Sequence, residues 1–232
     1  MFFEYKKSFL ILFSIILIHS SPALAFDYKV AGVRLSKQVK PLREIKRQNV
    51  IQQSLDYSCG PAGLSTLLNY YLDEKITEKE IIETLFKTVP FAKVQERRGF
   101  SLLDLKKFTQ SKGYVVTAYK MSTKFLSERE GPVLVPIKFK NYQHFVIVKD
   151  VIADRIFLAD PSAGNVSMKI SKFEKLWING IGLIVERDKN DKKPLATTLK
   201  VDDNDIVIAD YRMLRRLTDA TNFRATIYPG EF

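Results

Sequence analysis

The spacing of apolar residues changes at Gly113, and this change constrains the fold more than any other feature of the sequence. Before Gly113, apolar residues recur at the period of about 3.6 that is typical of amphipathic helices. After it, they alternate or form short continuous runs of β-branched and aromatic residues. Because helices come first and strands follow, we expect an α+β domain in which N-terminal helices pack on a C-terminal, mostly antiparallel sheet.

Helices are predicted before Gly113 over residues 61–73, 77–87 and 101–113. The first has apolar residues at positions i, i+3, i+4 and i+7, namely Leu64, Leu67, Leu68 and Tyr71. Thr77 and Glu80 match a capping box at the start of the second helix, and Ser101 suits the N-cap of the third.

Strands are predicted after Gly113 over residues 114–121, 132–139, 144–151, 155–160, 165–170 and 181–186. Gly, Pro, Asn and Asp separate these segments, as is typical of turns between strands. A short helix is predicted over 171–177, between the last two strands.

The N-terminus has the pattern of an export signal over residues 1–25. Lys6 and Lys7 precede an apolar run over 8–18, and the small residues Ala23 and Ala25 suit a cleavage site before Phe26. An uncleaved membrane anchor is the alternative, although the run is shorter than the roughly 20 apolar residues that span a bilayer. The sequence therefore predicts export to the periplasm or beyond, with membrane contact only if the signal stays uncleaved.

The rest of the chain divides into an N-terminal arm at 26–47, a folded domain at 48–187 and a C-terminal extension at 188–232. From Asp188 the sequence is polar and charged, as in a linker, and a short basic helix is predicted over 210–219. The sequence assigns no role to this extension.

The composition excludes several classes of site. The chain is basic, with 37 Lys and Arg against 26 Asp and Glu, but an exported protein is not expected to bind nucleic acid. Its basic clusters at 40–47 and 212–216 are interpreted as solvated faces, or as contacts with an acidic partner or membrane surface. There is no CxxC or His-rich ligand set for a structural metal and no phosphate-binding loop for ATP, so no cofactor is expected.

Cys59 is the one cysteine of the chain, so it cannot form an internal disulfide. It directly precedes Gly60-Pro61, a pair that fits the opening of a helix. The unpaired N–H groups and the dipole at a helix N-terminus favour the thiolate, which is the nucleophilic form of cysteine. Cys59 is therefore either a small apolar residue in the core or a nucleophile.

A cysteine nucleophile needs a histidine that accepts the thiol proton and later donates it to the leaving group. The chain has two histidines, and His19 lies in the predicted signal. This leaves His144, which precedes an apolar run, as the candidate base, with a structural role at the end of a strand as the alternative.

The segment QSLDYSCGPAGLSTLL (53–68) resembles the block of the peptidase C39 family in which five residues separate Gln from Cys-Gly. GFSLLDLKKFTQSKGY (99–114) is similar to the family's Gly-x-Ser-Leu-x-x-Leu helix block. The segment 144–177 is similar to its His-strand-hairpin-Asp-Pro block. The resemblance covers residues 48–186 and implies a papain-like cysteine peptidase fold over the predicted domain.

The resemblance also implies roles for single residues. Cys59 matches the nucleophile, His144 the general base and acid, Asp160 the carboxylate that orients His144, and Gln53 the side chain of the oxyanion hole. His144 and Asp160 lie at the ends of neighbouring predicted strands, which an antiparallel hairpin can bring together. Pro61 departs from the family pattern, in which a small residue is commoner.

The predicted signal and the lack of a transporter region indicate the free-standing exported branch of the family. This branch includes the peptidase encoded with functional-amyloid secretion systems. The resemblance thus implies a peptide or protein substrate, with secretion or amyloid-assembly proteins as possible partners. A non-cleaving peptide-binding module and a papain-like acyl transferase are the alternatives.

Overall fold

The computed structural model describes residues 26–30, 33–37, 41–139, 142–196, 198–203 and 205–206. The predicted signal at 1–25 and the predicted basic helix at 210–219 lie outside these residues. None of the helices within the described ranges has the length and apolarity required to cross a membrane.

The N-terminal arm contains a β-hairpin that the sequence did not predict. Strands β1 (Phe26–Val30) and β2 (Val33–Lys37) pair antiparallel, with Phe26 opposite Lys37. They belong to a separate structural unit that ends at Pro41.

The second unit begins with helices that largely follow the predicted pattern. In chain order they are α1 (Leu42–Arg47), α2 (Cys59–Tyr70), α3 (Glu78–Phe86), α4 (Phe91–Arg97) and α5 (Leu102–Ser111). The capping box of Thr77 and Glu80 is confirmed, and Ser101 caps α5 through the backbone N–H of Asp104. The short helices α1 and α4 were not predicted, because α1 buries no side chain and α4 buries only Val94.

The sheet follows as β3 (Val115–Lys120), helix α6 (Thr123–Glu128), β4 (Val133–Phe139), β5 (Tyr142–Ile152), β6 (Arg155–Asp160), β7 (Gly164–Lys169), helix α7 (Ile170–Leu176) and β8 (Ile181–Glu186). The helix α6 was not predicted. The strand order is β3-β8-β4-β5-β6-β7, and the neighbours pair antiparallel. The predicted α+β class with an antiparallel sheet is confirmed.

Strand β8 lies between β3 and β4, so the sheet is not the simple meander that the order of the segments suggested. Leu183, Ile184 and Val185 are each at most 3% exposed, which a central strand allows and an edge strand would not. The run of buried residues in β8 explains this placement.

The sheet is covered on both faces. One core combines α2, α3 and α5 with Leu134 and Ile147 of the sheet. The other packs α6 and α7 against the adjacent residues Val135 and Val146. Alternate residues of the central strands β4, β5 and β8 therefore enter different cores, and this accounts for the continuous apolar runs in these strands.

The segment after β8 packs on the domain. Ala196 N donates to Tyr71 O at 2.9 Å, and Leu199 is 2% exposed within the first core. Lys149 Nζ lies 2.5 Å from Asp205 Oδ2, and these side chains are 3% and 4% exposed. A β-bulge between Val148 and Asp150 places Lys149 outside the regular register of β5. The limits drawn for the arm, domain and extension stay predictions.

Candidate active site

Cys59 is the first residue of α2, and its side chain is 3% exposed. Two glycines let this end of the helix approach the sheet closely. A Cβ on Gly60 would lie 3.3 Å from Phe145 Cδ2, and one on Gly63 would lie 3.0 Å from Leu134 Cδ1. The sequence Cys-Gly-Pro-Ala-Gly thus brings the thiol against strands β4 and β5.

His144 contacts both other members of the predicted triad. Its Nε2 lies 2.9 Å from Asp160 Oδ1, and the Cys59 side chain is close enough to raise the pKa of the imidazole. Because Nε2 faces the carboxylate, Nδ1 is the ring atom left for the thiol. The structure therefore places His144 between Asp160, to which it is hydrogen bonded, and Cys59, which acts on its pKa.

Asp160 is held by the turn that follows it between β6 and β7. Its Oδ1 accepts hydrogen bonds from Ser162 N and Oγ, both at 2.7 Å, and from Ala163 N at 3.3 Å. An aspartate that binds the backbone two residues onward is typical of an Asx turn. The orientation of the carboxylate is therefore built into the sequence Asp-Pro-Ser-Ala-Gly.

His144 and Asp160 each shift the pKa of the other. Burial lowers the pKa of His144, but the hydrogen bonds from Asp160 and Cys59 and their charges raise it from 6.5 to about 9. Burial raises the pKa of Asp160, but His144 and Ser162 outweigh it and hold that pKa below the ordinary 3.8. The site thus favours an imidazolium beside a carboxylate at neutral pH.

Tyr142 is an additional residue of the site that the sequence did not single out. Its ring lies edge-on to the His144 imidazole, with centroids 6.4 Å apart and an interplanar angle of 83°. Burial, followed by the charges of Cys59, Asp160 and Asp56, raises the pKa of Tyr142. Its position two residues before His144 was the available signal, because alternate residues of a strand share a face.

Gln53 joins the site through its backbone. Gln53 N donates to Pro161 O at 2.9 Å, which fixes the glutamine beside the turn that carries Asp160. Its side-chain Nε2 donates to Leu55 O at 2.9 Å, and its Oε1 is buried without a hydrogen-bond partner among the described residues. The side-chain nitrogen carries a second N–H.

Contacts from distant parts of the chain hold the loop between Gln53 and Cys59. Ser54 N donates to the Glu78 carboxylate at 3.0 and 3.2 Å, and Leu55 N donates to Ser58 Oγ at 3.0 Å. No sequence pattern marked Glu78 or Ser58 as residues of the site. Ser58 adjoins Cys59, whereas no local pattern links Glu78 to a loop 24 residues earlier.

An aromatic cluster adjoins the same loop. Tyr57 packs edge-on against Phe86, Phe91 and Phe100 at centroid distances of 6.4–6.5 Å. Phe91 is 52% exposed, so the cluster offers an apolar surface. Tyr57, which belongs to this cluster, precedes Cys59 by two residues.

The groups at the site are a thiol, an imidazole, a carboxylate and an amide. No set of three or more His, Cys, Asp or Glu side chains within the described residues could hold a metal ion.

The Peptidase C39 family pattern matches residues 47–190. The chain is 31% identical over 171 residues to a Pseudomonas fluorescens protein named "Probable functional amyloid protease FapD", a match that covers 73% of this chain and 74% of that protein. The protein of the same name from Pseudomonas aeruginosa is 28% identical over 175 residues, which cover 75% of this chain and 76% of that protein.

The fold is similar to the crystal structure of the peptidase domain of Streptococcus ComA, a bi-functional ABC transporter involved in quorum sensing. The TM-score is 0.52 at 19% identity, and the match covers 60% of this chain and 98% of that domain. The predicted fold is thereby confirmed. From the extent of the family match and its two Pseudomonas relatives, the chain belongs to the peptidase C39 family.

Proposed function

We propose that this protein is an exported cysteine peptidase that cleaves a peptide bond of an exported or secreted protein. The observation that carries the proposal is the 2.9 Å contact between His144 and Asp160, with Cys59 close enough to raise the pKa of His144. A thiol, a base and an orienting group in contact are what nucleophilic catalysis at a peptide carbonyl requires.

In the acylation step, the Cys59 sulfur attacks the carbonyl carbon and forms a C–S bond. His144 holds the thiol proton and donates it to the leaving amine as the C–N bond breaks. Asp160 keeps the imidazole in place and stabilises its charged form. Water, deprotonated by His144, then attacks the thioester, which releases the carboxylate product and restores the thiol.

The negative charge on the carbonyl oxygen needs preorganised hydrogen-bond donors. Cys59 is the first residue of α2, where backbone N–H groups have no partner within the helix. Gln53 supplies an amide nitrogen with a further N–H beyond the one that bonds to Leu55 O. We assign these two groups to the oxyanion hole.

The names of the two Pseudomonas relatives support a substrate in functional-amyloid assembly or secretion. The aromatic cluster around Phe91 would bind apolar side chains of that substrate on the side of the Gln53–Cys59 loop. The predicted signal at 1–25 would deliver the peptidase to the periplasm, where such proteins pass.

To test this function, wild-type protein and Cys59→Ser are incubated with proteins exported by the same cells, and new N-termini are mapped by mass spectrometry. The proposal expects new termini with the wild type and none with Cys59→Ser or His144→Ala. Circular dichroism checks that both variants fold as the wild type does.

Three other outcomes would overturn the proposal in different ways. Equal cleavage by wild type and Cys59→Ser would exclude the thiol as nucleophile. An acyl group transferred to a second molecule would indicate an acyl transferase. Stable binding of a peptide by the wild type, without products, would indicate a binding module.

A further inference from the structure

Glu78 is a buried carboxylate that points at the loop of Gln53. It is the first residue of α3 and is 8% exposed. Both of its oxygens lie near one backbone donor, Ser54 N, at 3.0 and 3.2 Å. A buried carboxylate is costly unless it is hydrogen bonded or paired, so this contact ties α3 to the loop.

The hydrogen bond between Ser54 N and Glu78 holds the peptide unit on the C-terminal side of Gln53. Ser54 N belongs to the peptide unit that follows the Gln53 Cα, and Gln53 N belongs to the unit that precedes it. The first donates to Glu78 and the second to Pro161 O at 2.9 Å. Because both flanking amides are fixed, the direction of the Gln53 side chain from its Cα is fixed as well.

We propose that Glu78 is a positioning residue for catalysis, which aims the Gln53 side chain at the oxyanion. This inference rests on the proposed function, because it uses the role of Gln53 in the oxyanion hole. Glu78 acts through Ser54 and Gln53 and does not touch the substrate. Its effect falls on the step in which charge develops, and therefore on kcat more than on KM.

The test compares Glu78→Ala, Glu78→Gln, Gln53→Ala and the double variant on a cleaved peptide. Glu83→Ala is the matched control, because Glu83 lies on the same helix but its side chain is 60% exposed and pairs with Lys79. The rate at which iodoacetamide alkylates Cys59 is measured beside kcat and KM, since alkylation uses no oxyanion hole.

Glu78→Ala is expected to lower kcat about 10-fold or more, less than the roughly 10²–10³-fold loss from removal of an oxyanion donor. KM and the alkylation rate are expected to stay within about 2-fold, as is every constant of Glu83→Ala. Glu78→Gln is expected to retain most of kcat, because its amide oxygen still accepts from Ser54 N. The double variant is expected to be no slower than Gln53→Ala, since coupled residues are not additive.

A kcat that Glu78→Ala leaves unchanged would overturn the proposal. The proposal would also be overturned if Glu78→Ala lowered kcat by the same factor in Gln53→Ala as in the wild type, because Glu78 would then act independently of Gln53. If Glu78→Ala does not fold, Glu78→Gln and Glu78→Asp are compared, and an aspartate with one methylene less is expected to lower kcat more than the glutamine.

A structural measurement separates this proposal from the proposed function. By NMR, Glu78→Gln and Glu78→Asp are expected to shift the Gln53 side-chain NH₂ signals, and Glu78→Asp to speed hydrogen exchange at Ser54 N. Glu83→Ala is expected to change neither. If the NMR changes are seen but the protein cleaves no peptide, the contact between Glu78 and Ser54 is supported and the proposed peptidase function is contradicted. If the NMR changes are absent, the positioning role of Glu78 is contradicted.

Discussion

His144 Nε2 and Asp160 Oδ1 lie 2.9 Å apart, and the same aspartate oxygen also accepts from Ser162 and Ala163. The turn that follows Asp160 therefore orients the carboxylate independently of the imidazole. The histidine depends on this partner, because burial alone would lower its pKa.

Asp160→Asn is expected to lower the pKa of His144 from about 9, since it removes a charge that raises this pKa while burial continues to lower it. NMR titration of the imidazole carbons measures the shift. Ser162→Ala, which keeps the charge but removes the one side-chain donor to Asp160, is the control and is expected to have a smaller effect. Peptidase activity should fall by orders of magnitude in Asp160→Asn. An unchanged His144 pKa would contradict the assigned cause.

The stability of the fold is expected to depend on pH through the same pair. The folded pKa of His144 is raised above 6.5, so its contribution is complete below pH 6.5 and is lost as pH rises through about 9. The folded pKa of Asp160 is lowered, so its contribution is present above pH 3.8 and is lost as pH falls further. Urea unfolding of wild type and Asp160→Asn should differ most between about pH 4 and 6.5 and less near about pH 10. A difference that stays constant over this range would contradict the linkage.

Gly164→Ala is expected to destabilise the turn that holds Asp160. Gly164 has φ +79°, and a Cβ there would lie 2.2 Å from Lys46 O. Gly113 has φ +88° with nothing within 4 Å of such a Cβ, so Gly113→Ala is the matched control for backbone strain alone. Left-handed geometry costs alanine about 1–2 kcal/mol, and the clash adds to this in Gly164→Ala only. Equal losses in the free energy of unfolding would show that the clash relaxes without cost.

The buried pair of Lys149 and Asp205 provides a test of the C-terminal segment. Asp205→Ala leaves a buried ammonium and is expected to cost about 3–5 kcal/mol in the free energy of unfolding. Lys149→Met combined with Asp205→Leu removes both charges and is expected to recover most of that loss. Denaturation in urea measures both variants. A loss below about 1 kcal/mol in Asp205→Ala would show that the segment adds little to the domain.

The sequence predicted the elements whose signals are local. The apolar stripe of α2, the Thr77 capping box and the β-branched runs of the sheet each depend on residues within a few positions. The hairpin of 26–37 and the helices α1 and α4 escaped prediction. The two helices bury at most one side chain each, so packing leaves little periodic trace in their sequence.

The residues of the candidate site also divide into those that have a local sequence signal and those that do not. Family-like spacing predicted Gln53, Cys59, His144 and Asp160 as site residues, and the hairpin of β5 and β6 explains why the last two meet. The residue that holds the Gln53 loop could not be predicted in this way, because Glu78 is 24 residues from Ser54 in the sequence. The insertion of β8 between β3 and β4 is likewise a result of how the cores pack, which no single segment encodes.

The C-terminal segment also affects the order in which the chain can fold. Asn49 Nδ2 donates to Thr198 O across 149 residues, so this contact closes a loop that contains α2 to α7 and the six-stranded sheet. Closing a long loop costs entropy before it gains contacts, which slows the events that need it. We expect the local helices and hairpins to form first, and the C-terminal segment to dock late. A chain whose C-terminal segment has yet to dock therefore has a domain that lacks both its last closure and the charge that neutralises Lys149.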